Sequence, residues 1–177
     1  CPGIDYRLDL YPDGTFAARM TYREREVAPF DEIGAWALSS DGTVLVLHAG
    51  RPTPEFFAVV ATNQLRKLDL EGRPIVSSLP YDLARAAAFA PLEPRLTLSG
   101  SYRYLADSRW LTECLTGRRL AVLEEEDNAA LERAYLAVRP EPGAPVLATV
   151  EGRLVERPAP DDVGPQASLL VERFVSV

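Results

Sequence analysis

Apolar and polar residues alternate along the opening of this chain. Ile4, Tyr6, Leu8 and Leu10 fall on one side and Asp5, Arg7 and Asp9 on the other. A period of two marks a half-buried strand. Pro12-Asp13-Gly14 interrupts the run, and Phe16, Ala18, Met20 and Tyr22 then share a face. Asp-Gly favours a tight hairpin because both residues tolerate positive φ. The arrangement recurs. Asp41-Gly42 separates Ala35–Leu38 from Val44–Leu47, Phe56–Val60 supplies a further strand, and Glu71-Gly72 follows a strand over Leu65–Leu70. Short strands joined by tight turns predict an antiparallel meander that closes or half-closes into a barrel to hide its edges. The segment from Ala84 to Pro94 breaks the pattern: it is Ala-rich and ends in Pro91-Leu92-Glu93-Pro94. Prolines so close resist both helix and central strand. The expected division is a first domain over residues 1–90 and a second over residues 95–177.

The second part follows another pattern. Leu96, Leu98, Gly100, Tyr102 and Tyr104 alternate along one long strand, Arg109 to Cys114 suits a second, and Arg118 to Leu123 a third. A helix comes next. Asp127 or Asn128 is placed to cap it, because a short polar side chain accepts from free N–H groups of the first turn. Leu131, Ala134, Tyr135 and Val138 fall at helical spacing on one face, and Pro140 and Pro142 end it. Val146 to Val155 predicts a fourth strand, bulged or bent at Gly152, and Leu169 to Val175 a fifth. Five strands with a helix between the third and fourth is the element order of an OB-fold barrel. The predicted class is mainly β: a meander barrel followed by an OB-fold with one helix.

Composition narrows the function classes. The chain has 177 residues, is 47% hydrophobic and 25% charged, and carries a net charge of −7. These are the proportions of a globular protein, and no apolar run approaches the length of a membrane-spanning helix. Both parts are net acidic, which makes nucleic acid and anionic lipid surfaces poor partners. Lys67 is the only lysine among arginines, a pattern expected from codon bias.

Candidate chemistry is sparse. His48 is the only histidine, which excludes a histidine-rich metal cage. It ends a strand before Ala49-Gly50, where a solvated side chain is the expected role. Glu124-Glu125-Glu126-Asp127 directly precedes the helix, and carboxylates are favoured there by the helix dipole; the run lacks the spacing of a calcium loop. Asp161-Asp162 lies in a Pro/Gly-rich loop. Tyr102 and Tyr104 share a face with Leu96 and Leu98, so core packing outweighs base stacking. Two cysteines, Cys1 and Cys114, are too few for a disulfide scaffold. Cys114 sits at a strand-to-turn transition, as a small buried apolar residue would. Cys1, followed by Pro2-Gly3, reads either as a lipid-modified N-terminal cysteine or as the second half of a C-x-x-C pair.

Several stretches carry a family resemblance. They include Cys1-Pro-Gly-Ile4 with Leu8, Leu10 and Asp13-Gly14-Thr15; Gly34-Ala35-Trp36; Leu68-Asp69-Leu70-Glu71-Gly72-Arg73-Pro74-Ile75; and Tyr81-Asp82-Leu83. The most specific lie later: Gly100, Tyr102, Tyr104, Ala106-Asp107, Cys114, Thr116-Gly117-Arg118, Leu131-Glu132-Arg133-Ala134-Tyr135-Leu136 and Val150-Glu151-Gly152. With these residues the chain resembles the NlpE family, outer-membrane lipoproteins linked to copper tolerance and envelope-stress signalling in Gram-negative bacteria.

The resemblance implies a lipocalin-like first barrel and an OB-fold second domain, in a protein that is not an enzyme. It implies location at the periplasmic face of the outer membrane, through a lipid anchor upstream of Cys1. It also implies signalling by contact with a Cpx-type sensor kinase. Cys1 then matches the second position of the family's C-x-x-C, and Cys114 matches a cysteine that pairs with another near the family's C-terminus. Both partners would lie outside residues 1–177, so the expectation is a trimmed piece with redox-sensitive Cys1 and Cys114. No cofactor is expected, except that Cys1 with its upstream mate is a candidate ligand pair for Cu(I) in the full-length protein. A different class of function is a carrier of a small apolar ligand in the first barrel. An interior packed with Phe16, Met20, Trp36, Phe56 and Leu68 would count against it.

Overall fold

The computed structural model describes residues 3–158 and 165–177; Cys1 and the Asp161-Asp162 loop lie outside them. The chain divides into two compact units, Cys1–Leu92 and Glu93–Val177.

The first unit is a seven-stranded antiparallel meander in sequence order: β1 (Ile4–Leu10), β2 (Thr15–Tyr22), β3 (Phe30–Leu38), β4 (Val44–His48), β5 (Glu55–Ala61), β6 (Gln64–Lys67) and β7 (Asp82–Ala84). The β1–β2 turn closes as its residues dictate. Gly14 has φ +81°, and the Asp13 carboxylate accepts from the Thr15 N–H (2.9 Å) and hydroxyl (2.6 Å). Asp41 repeats the device at the β3–β4 turn with Ser39 and Thr43, and these hydrogen bonds hold its pKa down at about 2. The sheet curls on itself, so that Tyr6 of β1 stacks 5.8 Å from Phe57 of β5. That curl makes the meander barrel-like without hydrogen bonds joining β1 to β7. Its core is Phe16, Ala18, Leu45, Leu47 and Phe57, with Leu8, Trp36 and Leu65 packed against it.

Two features of this unit depart from the sequence reading. β6 ends at Lys67 instead of running to Leu70, because the Asp69 carboxylate accepts from the Glu71 and Arg73 N–H groups and turns the chain early. Phe57, not Phe56, is the aromatic of β5 that enters the core: it lies opposite Leu45, on the inward face.

The second unit is a closed five-stranded barrel of β8 (Arg95–Leu105), β9 (Ser108–Glu113), β10 (Arg119–Val122), β11 (Val146–Pro158) and β12 (Pro165–Ser176). The strands close in the order β10-β12-β11-β8-β9, and helix α1 (Asn128–Val138) lies between the third and fourth in sequence. This is OB topology. Tyr102, Leu111, Leu120, Val150, Leu169 and Val171 fill it, and Leu131 and Tyr135 of α1 are fully buried. Tyr102 meets Tyr135 edge-on at 5.3 Å, which gives Tyr102 the packing role expected of it. β11 slips register at Glu151/Gly152, the irregularity expected at that glycine.

The helix corrects three expectations. Asp127 occupies the N-cap position without a side-chain cap bond; its carboxylate accepts from the Phe174 N–H at 2.7 Å instead and ties the helix start to β12. The acidic run does not enter the first turn of α1, which holds no acid, and Glu124 pairs with Arg109 at 2.5 Å. Val138 is exposed, so the buried stripe of α1 is Asn128, Leu131 and Tyr135.

Glycines permit the curvature of both units. A Cβ on Gly34 would lie 2.0 Å from the His48 carbonyl oxygen and 2.7 Å from the Phe16 ring. Gly34→Ala is therefore expected to destabilise the first unit by about 2–4 kcal/mol through overpacking. Gly42→Ala, which meets nothing within 4 Å at φ +72°, should cost only about 1 kcal/mol. Urea unfolding followed by Trp36 fluorescence reads both; equal losses would show that crowding at Gly34 is not what matters.

Candidate functional site

Inward-facing positions of a small barrel are normally apolar, yet three of the first unit's are charged. The register puts Glu32 of β3 opposite Ala18, Glu55 of β5 opposite Leu47 and Lys67 of β6 opposite Phe57, all on the core face. Arg51, from the β4–β5 loop, reaches into the same place. Its guanidinium donates to Glu32 (2.9 and 2.8 Å) and to Glu55 (2.7 Å). Lys67 donates to Glu55 at 2.5 Å, and the Tyr6 hydroxyl reaches the same carboxylate at 3.3 Å. The Lys67 ammonium also sits 4.7 Å above the Phe57 ring. Two acids and two bases thus close a set that links β1, β3, β5, β6 and a loop.

The two carboxylates respond oppositely to this setting. Burial raises the pKa of Glu32, and the charge of Arg51 opposes that only in part. Burial also pushes Glu55 up, but the hydrogen bond and charge of Lys67, then those of Arg51, outweigh it and hold Glu55 below the usual range. Burial, with Glu55 nearby, raises the Tyr6 phenol far beyond neutral pH. A set whose lone pairs and protons are spent on one another offers no free general acid or base. It braces the barrel against the desolvation cost of the acids. The sequence held a sign of it, in Lys67 as the only lysine and Glu32 and Glu55 at inward strand parity, but which side faced inward depended on the register.

A concavity of about 360 Å³ on this unit is lined by Arg51, Pro54, Glu55, Phe56, Lys67 and Leu68. Phe16, Leu45, Leu47 and Phe57 form the buried apolar core.

Of the remaining candidate residues, Cys114 and His48 belong to different units. Cys114 is free and exposed, in the turn after β9, which corrects its expected role as a buried apolar residue. That turn is closed by hydrogen bonds: the Glu113 carboxylate, itself buried, accepts from the Leu115 N–H (2.8 Å), the Thr116 N–H (2.7 Å) and the Thr116 hydroxyl (2.6 Å). Cys1, the candidate redox and copper residue, is outside the described residues. His48 is exposed at the end of β4. Among the described residues no three His, Cys, Asp or Glu side chains converge as a metal-binding set.

Glu55→Gln is expected to lower stability at pH 7 by about 1.5–3 kcal/mol, the range for hydrogen bonds to charged groups. Because its folded-state pKa is depressed, the stability Glu55 contributes is present above the unfolded pKa and is lost as pH falls through the folded one. Thermal melts at pH 7, 5 and 3 should show the gap between wild type and E55Q shrinking toward low pH. A gap that stays constant would remove Glu55 as the centre of the set.

Known proteins align with both units. The model of the NlpE N-terminal domain matches residues 1–78, and that of the NlpE C-terminal OB domain matches residues 92–177. Lipoprotein NlpE of Escherichia coli (strain K12) is 37% identical over 167 residues, spanning 93% of this chain and 68% of that protein. A solved structure, described as the crystal structure of the Cpx pathway activator NlpE from Escherichia coli, is 32% identical, with 98% of this chain and 86% of that one covered and a TM-score of 0.44. That overlap is too low to bear on the fold, which stands on the strand order and the OB family match. With both halves matched by their own domain models, the chain belongs to the NlpE family.

Proposed function

We propose that this protein is an envelope lipoprotein that reports stress to a Cpx-type sensor kinase by direct contact, at the periplasmic face of the outer membrane. The observation that carries the reading is identity to the Escherichia coli lipoprotein sustained across both units, together with the relative's description as a Cpx pathway activator. The chemistry agrees with a contact-based role. The charged set around Glu55 is internally neutralised, and the apolar side chains Phe16, Leu45, Leu47 and Phe57 pack against one another inside the first unit.

Redox sensing enters through Cys114. An exposed thiol held on a hydrogen-bonded turn is accessible to a disulfide partner in an oxidising compartment. Copper binding, by contrast, would rest on Cys1 and an upstream cysteine, with no described residue adding a ligand set.

Overproduction of the full-length lipoprotein, in cells lacking their own relative, is expected to raise a Cpx-dependent reporter. Cys114→Ser is expected to change the reporter's response to loss of periplasmic oxidation while leaving the response to overproduction intact. A flat reporter at matched protein levels would sink the signalling role. An unchanged C114S response to reducing conditions would remove Cys114 from it. Dialysis of the full-length protein against Cu(I) tests the metal: no retained copper above a double cysteine variant would end that reading.

A further inference from the structure

We propose that the outer face of β8, β9 and β10, centred on Trp110 and flanked by Arg103 and Arg119, docks a short acidic peptide segment of another protein. This goes beyond the signalling role and does not depend on it.

The register sets the face. Arg103 of β8 lies directly opposite Trp110 of β9, and Thr112, the next outward residue of β9, lies opposite Arg119 of β10. The Arg119 guanidinium stacks 4.0 Å over the Trp110 ring, and the indole N–H is held by the Ser108 hydroxyl at 3.0 Å. The ring is thus fixed in place and left partly open on a sheet surface. Along the same strands Ser101 and Thr112 continue the face to Leu147 of β11, 65% exposed. There a groove of about 450 Å³ opens between Ser101, Thr112, Cys114 and Leu147.

Charge decides the occupant. In this barrel Arg95, Arg109, Arg153 and Arg173 each pair with a glutamate. Arg103 and Arg119 are exposed and have no carboxylate partner among the described residues. Of the acids in this unit, Glu113 is committed to its turn, Glu151 to Arg173, and Glu124 and Glu132 to Arg109, while Asp107 lies in the β8–β9 turn, beyond the paired residues Arg103 and Trp110. Two uncompensated guanidiniums on an otherwise acidic chain of net charge −7 form a local positive spot. Guanidinium groups recognise carboxylates by paired, planar hydrogen bonds. A polynucleotide or polyanionic glycan would carry many more charges than two arginines match, into a field that is repulsive beyond the patch. A peptide offers one or two carboxylates for the arginines and an apolar side chain for the Trp110–Leu147 surface, which is the balance found here.

The test uses the full chain with ¹⁵N-labelled tryptophan. Two indole signals result, and that of Trp36, bonded to the Tyr11 carbonyl in the first unit, is the internal control. The probe is a ten-residue peptide of glutamate and leucine, with a lysine–leucine peptide and a thymidine oligonucleotide of equal charge as comparisons. Expected is a saturable shift of Trp110 with the acidic peptide alone, no shift of Trp36, and affinity falling about tenfold or more in R103E/R119E. Both substitutions are at exposed positions, and an unchanged thermal melt confirms that the variant is folded. No Trp110 shift, an equal shift in R103E/R119E, or tighter binding of the oligonucleotide would each overturn the proposal.

Discussion

Close backbone approach at glycines is the constraint on which both units depend. A sheet must bend if its free edges and apolar face are to be hidden. In each unit the bend comes where a long strand changes partners. β3 passes from β2 to β4 near Gly34, and β8 passes from β11 to β9 near Gly100. At Gly100 a Cβ would lie 2.5 Å from the Thr112 carbonyl oxygen, and at Gly152 it would lie 2.4 Å from that of Leu170. None of these three has a positive φ; the requirement is space, because another strand's backbone occupies the position where a side chain would begin. Once the strands bend, Tyr6 can meet Phe57 and Tyr102 can meet Tyr135, and the two cores close.

Curling the first sheet has a second consequence: it brings inward charges together. Glu32, Glu55 and Lys67 come from three strands, and Arg51 enters from a loop to balance them. Such a set is costly to desolvate, and the mutual attraction of its members offsets that cost only because each charge finds a partner. It holds β1, β5 and the β4–β5 loop in one geometry.

The second barrel has a mostly apolar interior, with Glu113 a buried exception, and carries many charges on its outer face. Several of these charges are paired, Arg173 with Glu151 on adjacent strands and Arg95 with Glu172 across the intervening β11. Exposed pairs of this kind contribute little to stability, but they neutralise the surface they cover. The face around Trp110 is not neutralised in this way, and it adjoins the turn that displays Cys114. The exposed Cys114 thus follows directly on the end of β9, beside the outward-facing Thr112.

Local chemistry, legible in the residues themselves, determined the strands, the Asp-Gly turns and the helix between the third and fourth barrel strands. Alternation at Ile4–Leu10 and at Leu96–Tyr104 needs only the period of the β backbone, and Asp13 and Asp41 close their turns with atoms two residues away. The tertiary structure decided whatever needed a partner distant in sequence. It chose Phe57 over Phe56 for the core, because the register against β4 selects the face. It drew Asp127 away from capping α1, because the Phe174 N–H of β12 competes for the same carboxylate. It gathered Glu32, Arg51, Glu55 and Lys67 into one set and left Arg103 and Arg119 without a carboxylate partner among the described residues. A sequence lists charges; only the closed sheets determine which of them meet.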